Sequence, residues 1–332
     1  MLSETITSFV EQAAGWWGAT TYEVSAVVAL VLVSLTFGMV GSLVVGNRMA
    51  FFSDAMVHSA FAGVAIGMLV YVLAGLTRRA DDVNEWVIVL AMVLFGVAVG
   101  LGIEFVRERT GLANDTVIGV FFAVVTGFAA LLIPSLAQHV RFFNPEQFLF
   151  GSLLFISLDQ LGVFFVMLPL TAAVIAVGYN TFAFSSFSPL LARSRGKWVR
   201  VGNYAFIVLL AIVVNISIKA VGALLINALL IVPAAGAANV ARNLRQMFWF
   251  SVLLSIGSGL FGYFVCQQYN ITLGKVTLQP RPAGAVVLTA VGLFFLTMPA
   301  AALHKRIARA GHAHAPDNGS PACCPDPTPA DD

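Results

Sequence analysis

Asp54 and His58 stand four residues apart in "AFFSDAMVHSAFAGVAIGMLVYVLAG" (50–75), a stretch that is otherwise almost entirely apolar. On a helix, a spacing of four brings both side chains to one face, one turn apart. An ionisable group at the centre of a membrane helix costs about 2.5–3.5 kcal/mol even on insertion scales, and something must offset that cost. A carboxylate oxygen presented beside an imidazole nitrogen suits a divalent transition ion such as zinc, manganese or ferrous iron. Two ligands do not close a site, but a symmetric dimer supplies the pair twice across its axis and reaches four. An ion held incompletely is also an ion that can leave, as transport requires. The competing reading is an Asp–His hydrogen bond that only fixes helix packing. Protonating either group weakens a metal site, so uptake is expected to fall as His58 charges.

The elements that must position this pair are membrane helices. Hydrophobic residues make up 59% of the 332, charged residues 10%, and mean hydropathy is +0.90, which excludes a soluble globular domain. Apolar runs of about 20 residues, each able to cross about 30 Å of hydrocarbon, predict spans near 22–45, 52–75, 86–106, 115–137, 158–179, 201–218, 220–241, 248–269 and 283–303. That makes about eight to nine helices in an all-α polytopic protein. Asn215, Ser217 and Lys219 interrupt the run 201–241, so the count also admits ten. The stretch 144–157 is short for a span and reads as interfacial or re-entrant. With the start of the first span outside, twelve of the eighteen Lys and Arg residues fall in the cytoplasm. Gly63 and Gly67 let another helix approach closely and set the Asp54–His58 face in a bundle interior.

Residues 1–21, with Phe9, Trp16 and Trp17, read as an N-terminal interfacial segment and not as a cleaved signal. The membrane domain runs 22–304, and the Pro-, Asp- and Ala-rich stretch 305–332 reads as a disordered cytoplasmic tail. His312, His314, Cys323 and Cys324 lie in that tail without the spacing of a zinc finger. Three cysteines exclude a disulfide framework, and the net charge of +2 reflects the loop bias and no nucleic-acid footprint. The chain holds no phosphate-binding glycine loop, no H-E-x-x-H and no G-x-S-x-G. It therefore offers no catalytic residue and no permanently bound cofactor, and transport is the expected activity. Asp115 is expected to cap or face the dipole of its helix, Asn215, Ser217 and Asn227 to bond between helices, Lys219 to snorkel, and His139 to sit inert at an outer boundary.

Four stretches, taken together and in order, resemble the membrane permeases of bacterial ABC importers for zinc, manganese and iron: "SDAMVHSAFAGVAIG" (53–67), "NDTVIGVFFAV" (114–124), "FLFGSLLFISLDQL" (148–161) and "VGALLINALLIVPAAGA" (221–237). The resemblance spans about residues 38–272. It implies a permease fold similar to the vitamin B12 and metal-chelate importers, in the bacterial cytoplasmic membrane, working as a homodimer or as a heterodimer with a second permease. It also implies a separate ATPase subunit and an extracytoplasmic metal-binding receptor, and puts Asp54 and His58 on the family's intramembrane metal-coordinating positions. "SPLLARSRG" (188–196) then matches the coupling helix that rests on the ATPase, within a segment of about 186–197. Ser188 and Pro189 would cap and begin it, Leu190 and Leu191 would dock, and Arg193 follows the family cadence. The chain departs from the family pattern at Ser53, Val57, Phe61, Ala62, Asn114 and Asn227, none of them a proposed ligand. The resulting mechanism is alternating access, with the receptor delivering an ion to the outer face. The alternative is a proton-coupled secondary transporter with Asp54 and His58 as the relay, which predicts inverted repeats with broken helices.

Overall fold

The computed structural model describes residues 8, 10–12, 14–15, 20–73, 85–137, 151, 156–187, 197–268, 271–273, 276–278 and 281–312. Within them the long helices are α1 (Thr21–Gly46), α2 (Phe52–Leu73), α3 (Glu85–Thr110), α4 (Asn114–Ala137), α5 (Leu158–Phe187), α6 (Lys197–Val221), α7 (Ala223–Val240), α8 (Leu244–Gln268) and α9 (Pro282–His312). All nine contain a window long and apolar enough to cross a membrane. A short hairpin, β1 (Ile271–Leu273) with β2 (Val276–Leu278), joins α8 to α9 and is the only departure from an all-α fold among the described residues.

Local chemistry sets where the helices begin and end. α1 opens on a reciprocal cap: Thr20 Oγ1 accepts from the Glu23 amide and the Thr20 amide donates to Glu23 Oε2 at 3.0 Å. It closes with Arg48 N–H donating to the Val45 carbonyl and Met49 N–H to the Val44 carbonyl, the paired reverse bonds of a left-handed helix terminus. Arg48 sits there at φ 55, where glycine is usual. Buried Met49 then leads straight into α2 at Phe52. This abrupt turn puts Asp54 in the first turn of its helix.

The run 201–241 is two helices. The break falls at Gly222, at φ 87, three residues beyond the polar cluster ending at Lys219. Gly151, at φ 66, rests against the carbonyl of Val221, where a Cβ would collide with backbone. Two glycines of separate motifs thus meet where α6 gives way to α7. Asn215 and Ser217 do not bond between helices: Asn215 Nδ2 donates to the Ala211 carbonyl at 2.7 Å and Ser217 Oγ to the Val213 carbonyl at 2.7 Å. In a segment short of water, the carbonyl one turn back is the nearest acceptor.

α1 packs on α5, α7 and α8, and α2 lies between α3 and α4. Gly63 fulfils its expected role, since a Cβ there would come 2.7 Å from Met92 Cα of α3, and one at Gly67 would come 3.2 Å from Ala91 Cβ. Gly41 lies directly on the Leu230 carbonyl of α7. Ser251 Oγ of α8 donates to the Gly38 carbonyl at 2.8 Å, tying the same core together.

At the carboxyl end α9 runs on to His312, past the expected boundary at 304, because "AALHKRIARAGH" has good helix formers and no breaker before Gly311. His314, Cys323 and Cys324 lie outside the described residues, as do His139 and the coupling residues Ser188, Pro189, Leu190, Leu191 and Arg193. α5 and α6 flank that last segment on either side.

Candidate metal-ion site in the membrane domain

Asp54 and His58 share a face of α2, and both are partly buried. They do not bond to each other through their side chains. His58 Nδ1 lies 2.9 Å from the backbone carbonyl of Asp54. A carbonyl can only accept, so Nδ1 carries the proton and the lone pair is left on Nε2, the tautomer a metal ligand needs. The imidazole also meets the Phe122 ring of α4 edge to face at 4.6 Å, with Phe61 at 6.1 Å, so aromatic packing limits its rotation.

Asp54 is held from a third helix. Asn227 Nδ2 of α7 donates to Asp54 Oδ1 at 2.6 Å, across 173 residues of chain. The amide oxygen of Asn227 is buried with no hydrogen-bond partner. Reversing the amide would set that oxygen against the carboxylate, so Asp54 itself dictates which end of Asn227 faces it. The first turn of α2 adds the favourable end of the helix dipole to the carboxylate.

Although Asp54 opens its helix, the site lies deep in the bundle. The neighbouring Phe52 is fully buried, and a Cβ at Gly100 would lie 3.6 Å from its ring. Gly100 is ten residues, or about 15 Å, before the end of α3 at Thr110. Phe122 lies about 12 Å into α4, and Asn227 about 20 Å before the end of α7 at Val240. The pair that opens α2 therefore lies about 12–20 Å along α3, α4 and α7 from these ends.

A second polar cluster was not singled out from the sequence. Glu104 of α3 is fully buried and pairs with Arg107, whose Nη1 reaches Asn114 Oδ1 at 3.4 Å; Asn114 Nδ2 donates to the Asn47 carbonyl at 3.0 Å. Beside it Glu108 accepts from Arg200 Nε at 2.9 Å and from the Tyr204 hydroxyl at 3.2 Å. The signal was a carboxylate inside a predicted span with an arginine three residues on. Asn114, which stands where the family pattern has a glutamate, begins α4, so Asp115 lies in the first turn and not at the cap. No group of three or more His, Cys, Asp or Glu that could hold a metal ion is gathered among the described residues, so none of those types joins Asp54 and His58 there within one copy of the chain.

The ABC 3 transport family matches residues 20–300. The chain belongs to that family. It is 27% identical over 271 residues to a Listeria innocua protein described as manganese transport system membrane protein MntC, covering 82% of this chain and 88% of that one. It is 25% identical over 268 residues to the high-affinity zinc uptake system membrane protein ZnuB of Haemophilus influenzae, covering 81% and 93%. Among solved structures it superposes on PsaBC from Streptococcus pneumoniae in complex with Fab, with a TM-score of 0.65 and 21% identity over 87% of this chain and 94% of that one. An inward-facing putative metal-chelate type ABC transporter gives 0.57 at 15% identity, covering 82% and 85%. The expected permease fold is therefore the observed one, and the chain is a multi-pass protein of the bacterial cytoplasmic membrane.

Proposed function

We propose that this chain is the permease subunit of an ABC importer carrying a divalent transition-metal ion, manganese or zinc before iron, into the cell. The observation that carries the reading is the pairing, on one face of a deeply set helix, of the Asp54 carboxylate with an imidazole whose Nδ1 is committed to a backbone carbonyl. An ion stripped of part of its hydration needs replacement oxygen and nitrogen ligands, and these two supply them. The names of the manganese and zinc relatives support the choice of cargo.

Two copies, or one copy with a sister permease, would bring two such pairs to a shared pathway and complete a four-ligand resting place. The chain itself hydrolyses nothing. ATP turnover belongs to a separate ATPase subunit, coupled through Ser188, Pro189, Leu190, Leu191 and Arg193 in the segment that leads into α6, and an extracytoplasmic receptor delivers the ion. In membrane vesicles containing the permease, ATPase and receptor, ion uptake is expected to require ATP and to survive collapse of the proton gradient. Uptake driven by a proton gradient without nucleotide would favour Asp54 and His58 as a proton relay instead.

A further inference from the structure

Among the described residues, Asn227 is the one outside α2 that touches the proposed cargo ligands through a hydrogen bond, and its two polar atoms have different fates. Nδ2 is spent on the Asp54 carboxylate at 2.6 Å, while Oδ1 is buried without a donor. A buried acceptor left unpaired is a desolvation cost, and a cation carried through the site would offset it. Both amide atoms are bonded to one carbon, so the group that touches the carboxylate also keeps a buried, unpaired oxygen beside it.

We propose that Asn227 is a specificity-determining residue of this site, holding Asp54 through its amide N–H and offering its amide oxygen as a third, neutral donor that favours manganese over zinc. This rests on the reading of Asp54 and His58 as cargo ligands and names the ion that reading leaves open. The chemistry follows from donor type. Imidazole suits zinc, whereas carboxylate and carbonyl oxygens suit manganese, and Asn227 moves the set from one oxygen ligand and one nitrogen ligand toward an oxygen majority. A hydroxyl at this position, as in the family pattern, could donate one hydrogen bond to Asp54 but would bring no carbonyl oxygen.

The test is competition uptake of manganese against zinc, in vesicles with the ATPase and receptor, for the wild type, Asn227→Ser and Asn227→Leu, with each variant quantified in the membrane. Asn227→Ser keeps a hydroxyl able to donate but removes the amide oxygen, and Asn227→Leu preserves only volume. The expected result is a manganese-to-zinc ratio about tenfold lower in both variants, the size typical of losing one supporting group at a metal site. An unchanged ratio, or an equal loss for both ions, overturns the proposal, because a residue that merely packs α7 on α2 has no means of telling the ions apart. Asp54→Ala, run in parallel, separates the two claims: if it leaves both ions carried at wild-type rates, the cargo site itself is wrong, whatever Asn227 does.

Discussion

Arg107 shows how much a single residue can matter in this interior. It pairs with Glu104, a fully buried carboxylate whose second oxygen has no partner, so removing the guanidinium would strand a charge away from water. Arg107→Met is expected to cost about 3 kcal/mol, seen as a lower Tm in detergent, whereas Glu104→Met with Arg107→Met should recover most of that loss. Residues also differ in how well the sequence disclosed them. Asp54 and His58 were legible because their spacing equals one helical turn and everything after them is apolar. Asn227 was legible as a residue that bonds between helices, as it does, but its partner lies 173 positions away, a distance no local pattern encodes. Glu104 was overlooked because it falls at the end of an apolar run, among the charges of the following loop, yet packing buries it completely.

The helices themselves were readable to within a few residues, since each must cover the hydrocarbon thickness and satisfy its own backbone. Less readable were the joints. Nothing in "GNRMAF" announced that Arg48 would take the left-handed position, whereas the break in 201–241 was expected near Lys219 and falls three residues later, at Gly222. Close helix contacts give a direct test of the packing. A Cβ at Gly41 would enter the Leu230 carbonyl, which belongs to backbone and cannot swing aside, while a Cβ at Gly257 would meet nothing within 4 Å. Gly41→Ala should therefore destabilise by about 1–3 kcal/mol through forced separation of α1 and α7. Gly257→Ala should be neutral or stabilising by up to about 1 kcal/mol through helix propensity. Thermal unfolding of the two variants in detergent checks the contrast, and equal effects would mean that α1 and α7 are not in this register.

For the whole molecule, nine crossings among the described residues would put the two ends of the chain on opposite sides of the membrane, and the positive-charge bias predicts the β1–β2 hairpin outside with 188–196 and the tail inside. In a background with Cys266, Cys323 and Cys324 replaced by serine, Thr272→Cys should react with an impermeant maleimide on intact cells. With Cys323 alone retained, reaction should wait until the membrane is opened. The reverse pattern would put 188–196 outside, out of reach of any ATPase. The proposed function requires the bundle to hold an acidic oxygen and an imidazole nitrogen together in the path of a cation. Its most direct test is ATP-driven uptake of manganese and zinc by assembled transporter carrying Asp54→Asn or His58→Ala, each with wild-type membrane abundance and Tm. Both variants are predicted to lose transport of both ions while remaining folded. Wild-type uptake by either one would contradict the account.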